Sequence, residues 1–342
     1  MKKFGIGTVL VTMTMLASCG GQDDGYRIIS FGDSISDVGA YSSESAGRGK
    51  WTTNPGKVWI ELVAERFGYK ITPAEVGFGH GAYTYCPAGS GCTGYAQGGA
   101  RITDPIGIGH FGTDGTTPVL LTRPVKSQVD LHLSKAGSFK ANDIVFMFVG
   151  PNDVFAQWGL IGAGTTEAAA SAALQQAGAE TAAQVKRIKD AGAGHVYVLT
   201  STNVGKIPLV GILDPAGTFG TAALLTRLSQ SFNASLSSAL AASGTNVKFI
   251  DIYSFSTEQD TNPTKYGLPA TINVTGLACD ATKVPTNPVT PGSSLYCNAS
   301  TLVAAGADTS YLWADIAHPT TIGHKAYADY VIKQLKADGL LN

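Results

Sequence analysis

The sequence predicts an α/β fold in which a mainly parallel sheet is flanked by helices within a single domain. Short apolar segments of strand length alternate with longer segments that have helical periodicity or are rich in alanine, and this alternation is typical of parallel sheets. Residues 143–149 (DIVFMFV) are almost entirely apolar, as expected for a central strand that is covered on both faces. No internal repeat and no charge-rich linker divides the chain.

The composition fits a globular domain with a large core. The chain has 342 residues, of which 44% are hydrophobic, so enough apolar material is present to bury. Charged residues make up only 14%, the formal net charge is −1 and no long basic run occurs, which argues against a nucleic-acid-binding surface. Glycine is concentrated between residues 77 and 115, and this concentration predicts a loop.

The individual elements follow from these patterns in chain order. Residues 26–31 form an apolar strand that stops at a Gly-Asp-Ser turn. Residues 55–67 place apolar side chains on one helical face behind Pro55, which is tolerated in a first turn. The other predicted strands are 143–149, 195–200 and 247–252, and the other predicted helices are 167–191, 222–242 and 319–335. Two long loop regions remain, 72–123 and 254–310, and ordered loops of that length are usually functional.

The first eighteen residues (1–18) have the pattern of a signal peptide. Lys2 and Lys3 precede an apolar stretch at 6–16, which is shorter than the ~20 apolar residues of a membrane span. The sequence Leu-Ala-Ser-Cys-Gly at 16–20 resembles the bacterial lipobox, which implies cleavage before Cys19 and diacylation of its sulfur. An ordinary secretory signal with an incidental cysteine is the alternative.

The lipoprotein interpretation predicts where the protein is located. Residues 19–25 then form a lipidated tether, and Cys19 attaches the chain to a membrane of the bacterial cell envelope. Gly20 stands where the bacterial inner-membrane retention signal has aspartate, which favours the outer membrane. The alternative signal predicts a secreted protein. No later segment is long and apolar enough to span a bilayer.

The cysteines predict disulfide bonds. The chain contains 5 cysteines, and Cys19 accounts for the odd one. The other four allow three pairings, of which the local pairing joins Cys86 to Cys92 and Cys279 to Cys297, each across a loop rich in small and polar residues. Metal binding is the competing interpretation, but these spacings match no zinc pattern.

Residues whose side chains could take part in catalysis follow the ends of predicted strands, where ligands bind in parallel α/β sheets. Ser34 follows the first strand, and Asn152 follows the strand at 143–149. Near the C-terminus, Asp315 and His318 are three residues apart, so the aspartate can orient the imidazole and leave its other nitrogen as a base. The alternative is that Asp315 caps the start of the last helix and His318 lies on the surface.

Four sequence blocks together resemble the GDSL (SGNH) hydrolase superfamily. They are Phe-Gly-Asp-Ser at 31–34, Tyr-Ala-Gln-Gly-Gly-Ala at 95–100, Gly-Pro-Asn-Asp at 150–153 and Asp-Ile-Ala-His at 315–318. The blocks occur in the family's order across nearly the whole mature chain, and residues 49–58 also resemble the segment that follows the first block. The resemblance implies one hydrolase domain at 26–342, with three α/β/α layers and a mostly parallel, five-stranded, flavodoxin-like sheet.

The resemblance also implies roles for individual residues. Ser34 matches the nucleophile, His318 the general base and Asp315 the residue that orients it. The oxyanion hole is implied to consist of the backbone N–H groups of Ser34 and Gly99 and the side-chain amide of Asn152. The second block usually opens with asparagine, where this chain has Gly94, so Gly98 and Gly99 both remain candidates for the backbone donor.

The implied activity is that of a serine carboxylic-ester hydrolase, an esterase or lipase, which works through an acyl-enzyme without a cofactor or metal. Its partners are then a lipid, aryl or polymeric ester and, through Cys19, a membrane. Polysaccharide deacetylase and polyester depolymerase are alternatives, and a catalytically silent surface-binding lipoprotein is an alternative from another class. Five aromatic residues are candidates for lining a cleft or, alternatively, for packing: Tyr83, Tyr85, Tyr95, Phe111 and Trp313.

Overall fold

The structure is a computed structural model that describes Met1 and residues 25–79, 83–86, 91–285 and 292–342. The predicted signal peptide beyond Met1, the lipid attachment at Cys19 and the tether before residue 25 lie outside the described residues. None of the helices in these ranges combines the length and the apolarity that crossing a bilayer requires.

Strands and helices alternate along the described ranges. The strands are β1 (Arg27–Gly32), β2 (Glu75–Val76), β3 (Thr84–Tyr85), β4 (Asp143–Phe148), β5 (His195–Leu199), β6 (Lys248–Ile250), β7 (Asn273–Leu277) and β8 (Tyr311–Trp313). The helices are α1 (Trp59–Arg66), α2 (Val125–Ala136), α3 (Pro151–Gly162), α4 (Glu167–Asp190), α5 (Pro208–Leu213), α6 (Thr221–Ser243), α7 (Ile252–Glu258), α8 (Ala307–Ser310) and α9 (Thr321–Ala337).

The central sheet consists of four parallel strands in the order β1-β4-β5-β6. The segment 93–97 extends it along the outer edge of β1, because the Ser30 N–H donates to Thr93 O (3.1 Å) and the Tyr95 N–H donates to Ser30 O (2.8 Å). The predicted five-stranded sheet is therefore present as four regular strands and one edge segment.

Helices cover both faces of this sheet, which confirms the predicted α/β/α layers. Helices α2, α4 and α6 pack on one face, and α1 and α9 pack together on the other. On the second face, the ring of Trp59 meets those of Phe146 and Phe148 edge to face, at centroid distances of 5.5 and 6.3 Å. On the first face, the ring of Phe31 lies 6.0 Å from that of His132 in α2. Strand β4 is buried on both sides as its composition predicts.

The predicted strands and helices are present, with boundaries that shift by a few residues. The helix expected at 55–67 begins only at Trp59, because the Gly56 N–H donates to Thr53 O (2.9 Å) and closes a separate turn first. The helix expected at 319–335 begins at Thr321, since Thr320 caps it. Asp315 and His318 therefore lie on the loop before α9 and not in its first turn.

Among the described residues, five α-helices were not predicted from the sequence: α2, α3, α5, α7 and α8. Helices α7 and α8 lie mostly or wholly within the region 254–310, which was predicted to be a loop. Helix α2 follows the Gly-rich region, and α3 starts directly after β4 with Pro151 in its first turn. The positional preference of proline for a first helical turn was available as a signal for α3. In α2, Val125 and Val129 stand four residues apart and are both buried, but polar and charged residues weaken the periodicity between them.

Both predicted disulfides are present. Cys86 is bonded to Cys92 and Cys279 to Cys297, so each long loop region carries one local crosslink. The second disulfide lies near the end of β8, because the Cys279 N–H donates to Ala314 O (3.0 Å).

We predict that Gly32→Ala lowers the free energy of unfolding by about 3 kcal/mol, from overpacking and backbone strain together. Gly32 has a φ of +149°, and a Cβ there would stand 2.0 Å from the carbonyl oxygen of Phe148 in the neighbouring strand. Urea denaturation measures the loss. Gly211→Ala is the control, because its Cβ meets no atom within 4 Å and alanine favours its helix α5. A wild-type stability for Gly32→Ala would contradict the close approach of β1 and β4.

Candidate active site

The turn after β1 presents Ser34 at the carboxyl edge of the sheet. Asp33 is extended and caps a single 3-10 turn, Ser34–Ser36, by accepting the Ile35 N–H on Oδ1 (3.1 Å). Ser34 is the first residue of that turn, where backbone N–H groups have no acceptor within the helix. The turn therefore places both the hydroxyl and the N–H of Ser34 at the cleft described below.

The structure brings Ser34, His318 and Asp315 into one hydrogen-bonded chain. His318 Nε2 lies 2.9 Å from Ser34 Oγ, and His318 Nδ1 lies 2.8 and 2.9 Å from the two carboxylate oxygens of Asp315. Since an ionised carboxylate only accepts hydrogen bonds, Nδ1 carries the proton and Nε2 accepts from the serine hydroxyl. This arrangement matches a serine, its base and the group that orients the base.

Asp315 is held as an anion by the groups around it. Its carboxylate also accepts the backbone N–H groups of Ser294 (2.8 Å), Ala317 (2.9 Å) and His318 (2.8 Å). Burial raises the pKa of Asp315, but the charge of His318 and these hydrogen bonds outweigh burial and lower the pKa to about 2. The carboxylate therefore stays ionised through the neutral range and fixes the tautomer of His318.

The ring of Trp51 packs against the ring of His318, a contact that the sequence motifs do not predict. The two rings have centroids 4.6 Å apart and an interplanar angle of 34°. The Trp51 carbonyl accepts from His324 Nε2 (3.2 Å), and His324 Nδ1 accepts the Trp59 N–H (3.3 Å). Burial lowers the pKa of His324 to about 3, so this histidine is neutral and serves as a structural bridge.

The two candidate glycines differ in what their N–H groups do. The Gly98 N–H donates to Asp37 Oδ2 (2.9 Å), whereas the Gly99 N–H has no acceptor among the residues that the structure describes. Gly99 lines the cleft together with Ser34 and His318. It has a φ of +77°, and a Cβ there would stand 2.0 Å from the carbonyl oxygen of Ile108, so only glycine fits.

Asn152 reaches the same cleft from the first turn of α3. One hydrogen of its side-chain amide is donated to Ala100 O (3.0 Å), and an amide nitrogen has a second hydrogen. Ser34, Gly99 and Asn152 all line the cleft. The structure therefore gathers every residue that the family resemblance nominated for the triad and the oxyanion hole.

The cleft around Ser34 has a volume of about 490 Å³, within the ~300–1,000 Å³ typical of small-molecule sites. Its wall is mainly apolar, and the apolar residues named next come from six separate parts of the chain. The apolar lining residues are Ile35, Trp51, Ile108, Phe111, Leu120, Phe155, Trp158, Val204, Ile207, Leu209, Trp313, Ile316 and Ala317.

Only part of the aromatic prediction holds. Phe111 and Trp313 line the cleft, but Tyr95 is buried in the core and its ring stacks on Phe31 at 5.1 Å. Tyr83 and Tyr85 are exposed and are not part of the cleft wall. Four aromatic residues of the cleft wall were not predicted from the sequence. Phe155 and Trp158 lie on the unpredicted helix α3, and the other two are Trp51 and Tyr327.

Within the described ranges, no group of three or more His, Cys, Asp or Glu side chains is arranged to hold a metal ion. Asp33, the residue before the serine, is a buried carboxyl with a raised pKa. Its side chain is buried, and its Oδ2 has no hydrogen-bond partner among the described residues. Burial raises the pKa of Asp33 to about 7, against the opposing effects of the Ile35 N–H and His318.

Comparison with known proteins places these features in a family. The model of the family described as GDSL-like Lipase/Acylhydrolase matches residues 28–331, which include all four sequence blocks. No curated protein matches the chain.

Two solved structures resemble the chain at low identity. Phospholipase A1 from Streptomyces albidoflavus NA297 is 14% identical, with a TM-score of 0.42, over 90% of this chain and 99% of that one. The extracellular lipase from Streptomyces rimosus is 17% identical, with a TM-score of 0.38, over the same shares.

We predict that Asp33→Asn becomes more stabilising relative to wild type as the pH rises. The unfolded carboxyl loses its proton near its ordinary pKa of 3.8 and the folded one near 7, so the wild type loses stability between these values. The amide stays neutral and still accepts the Ile35 N–H. The advantage of Asp33→Asn in urea denaturation should therefore grow by about 2 kcal/mol from pH 5 to pH 8. An advantage that is the same at both pH values would contradict the raised pKa.

Proposed function

Because the chain belongs to the GDSL-like lipase/acylhydrolase family, we propose that it is a serine carboxylic-ester hydrolase that works through an acyl-enzyme on Ser34. The observation that carries the proposal is the 2.9 Å contact between His318 Nε2 and Ser34 Oγ. With Asp315 on the other imidazole nitrogen, the hydroxyl has the adjacent base that a serine nucleophile requires.

In the first step of the proposed mechanism, the acyl group of the ester is transferred to Ser34. Ser34 Oγ attacks the carbonyl carbon of the ester while its proton passes to His318 Nε2, and the carbonyl π electrons move onto oxygen. Asp315 stabilises the imidazolium that forms. When the tetrahedral intermediate collapses, the bond to the alcohol oxygen breaks, His318 returns the proton to that oxygen, and the acyl group stays on Ser34.

Deacylation repeats the same steps with water as the nucleophile. His318 Nε2 takes a proton from water, the hydroxide attacks the acyl-enzyme carbonyl, and Ser34 Oγ leaves with the proton that His318 returns. In both steps the oxyanion accepts hydrogen bonds from the Ser34 and Gly99 N–H groups and from the second hydrogen of the Asn152 amide. Each such donor typically contributes ~3 kcal/mol of transition-state stabilisation.

The lining of the cleft supports an ester with an apolar acyl group. Phe155, Trp158 and Leu209 are among its walls, and burying a CH₂ group against such surfaces stabilises binding by about 0.8 kcal/mol. A deacetylase would have no use for most of this apolar surface, whereas a lipid ester or an apolar polyester segment would contact it. A catalytically silent protein would not need the complete hydrogen-bonded arrangement at Ser34.

We expect a fluorophosphonate probe to label wild-type protein on Ser34, since the probe reports an activated serine. Ser34→Ala should abolish both labelling and hydrolysis of p-nitrophenyl butyrate, and His318→Ala should abolish hydrolysis, each with an unchanged circular dichroism spectrum. Ser238→Ala, at an exposed position of α6, is the matched control and should keep both signals. Folded wild-type protein without an adduct on Ser34 would overturn the proposal.

We expect kcat/KM on p-nitrophenyl esters to rise from acetyl to acyl chains of about eight carbons, because longer chains cover more of the cleft wall. Gly159→Leu tests whether the acyl chain of the substrate passes along α3, since Gly159 lines the cleft and has open space at its Cβ position. It should lower kcat/KM for the octanoyl ester relative to the acetyl ester by about tenfold or more, from a few lost CH₂ contacts.

Gly162→Leu is the matched control on the same helix, because its Cβ position is also open but Gly162 is not part of the cleft wall. It should keep the wild-type ratio between the two esters. A clear preference for the acetyl ester in the wild type would instead favour the deacetylase alternative.

A further inference from the structure

We infer that Asp153 is a positioning residue that aligns two of the oxyanion donors, Gly99 and Asn152, with each other. This inference rests on the proposed function, because it assigns a role within the proposed oxyanion hole. The two donors come from distant parts of the chain. Gly99 belongs to an irregular loop, and Asn152 belongs to α3.

The first turn of α3 binds three successive residues of the loop that follows Gly99. The Asn152 amide donates to Ala100 O (3.0 Å). Asp153 Oδ1 accepts from Arg101 Nε (3.3 Å), and Asp153 Oδ2 accepts the Ile102 N–H (3.2 Å). We call this set of three hydrogen bonds the α3 clamp.

The loop depends on such contacts because it has no regular secondary structure between residues 96 and 103. The Gly98 N–H of the loop donates to Asp37 Oδ2 (2.9 Å), and Gly99 O accepts the Ile108 N–H (2.9 Å). Beyond Gly99 the loop is bonded to α2, where the Val125 N–H donates to Arg101 O and the Lys126 N–H donates to Ile102 O, both at 3.0 Å. Those bonds fix the loop to the helix beside it. The α3 clamp fixes it to the helix that carries Asn152.

Burial makes the carboxylate of Asp153 sensitive to its partners. Its side chain is 4% exposed, so its buried charge depends on its partners for compensation. The side chain of Arg101 is 16% exposed and also pairs with Asp104. Burial raises the pKa of Asp153 to about 6, while Arg101 and the Ile102 N–H act in the opposite direction. Nearby Glu180 accepts from Thr103 Oγ1 (2.6 Å) and so belongs to the same polar cluster behind the loop.

The α3 clamp should affect catalysis through the positions of the oxyanion donors at the transition state. Oxyanion donors act when they lie about 2.7–3.1 Å from the developing charge, and a functional group that sits ~1 Å too loose loses much of its effect. Asp153 does not line the cleft and touches no substrate. Loosening the α3 clamp should therefore lower kcat and leave KM nearly unchanged, because ground-state binding in the apolar cleft does not involve the loop's alignment.

The test compares Asp153→Ala with Asp143→Asn. Asp143 is a buried carboxylate paired with Arg27 (2.7 Å) at the amino end of β4, the end opposite the cleft, so it controls for the loss of a buried ion pair. Asp153→Ala should lower kcat about 10- to 100-fold with KM within twofold of wild type. Asp143→Asn should lower the Tm but keep the wild-type kcat.

Two further measurements separate alignment from general damage. In the Asn152→Ala background, Asp153→Ala should lower kcat by a smaller factor than it does in the wild-type background, because one of the two donors that it aligns is already gone. Hydrogen exchange of the amides at 99–102 should be faster in Asp153→Ala than in wild type and unchanged in Asp143→Asn.

Asp153→Asn offers a conservative rescue, since the amide oxygen can still accept the Ile102 N–H, and it should retain more kcat than Asp153→Ala. An Asp153→Ala enzyme with wild-type kcat, or one whose loss multiplies fully with that of Asn152→Ala, would overturn the inference. Wild-type protein without Ser34-dependent turnover would instead show that the proposed function itself is wrong.

Discussion

The parallel pairing of β1 with β4 is the constraint on which the site depends. It places Gly32 opposite Phe148, so the chain leaves both strands at the same edge, one toward Ser34 and the other toward Asn152. The approach is so close that no Cβ fits at Gly32. Gln128 of α2 then closes the end of β1 by accepting the Gly32 N–H (2.9 Å) and donating to Gly32 O (2.8 Å). The position of the serine is thus set by backbone pairing and by one buried side-chain amide.

The third member of the site, Asp315, depends on the second long loop region. The segment 294–297 donates the Ser294 N–H to Asp315, while its carbonyl groups at Leu295 and Cys297 accept the N–H groups of Gly49 (2.7 Å) and Asn54 (2.8 Å). The segment therefore connects the carboxylate to the loop that carries Trp51, whose ring packs on the imidazole. The disulfide from Cys297 to Cys279 fixes this segment beside β8. A segment that forms only a 3-10 turn therefore supports both Asp315 and, through its loop, Trp51, and both of these residues contact the ring of His318.

Much of the fold and of the candidate site follows from the sequence, for identifiable reasons. Strand β4 can be predicted from the sequence because burial on both faces requires an apolar run. The four family blocks contain the residues that meet at Ser34. Other features depend on contacts that local patterns do not contain. Trp51 contacts His318 from a loop that is held by hydrogen bonds to the distant segment 294–297. Phe155 and Trp158 reach the cleft from a helix whose periodicity is weak. The sequence alone does not show which of Gly98 and Gly99 has a free backbone N–H. The structure distinguishes them because Asp37 accepts the Gly98 N–H.

Two buried carboxylates beside Ser34 and His318 differ in how well their charge is compensated. Asp315 accepts five close contacts, and its pKa is lowered. Asp33 accepts a single N–H and leaves Oδ2 without a partner, and its pKa is raised to about 7. Both lie on turns that position reacting groups, yet only Asp315 needs its charge for the proposed chemistry. Asp33 needs only the shape and the acceptor of its cap. The fold therefore tolerates a poorly solvated carboxyl there, at a cost in stability that grows as the pH rises from 3.8 to about 7.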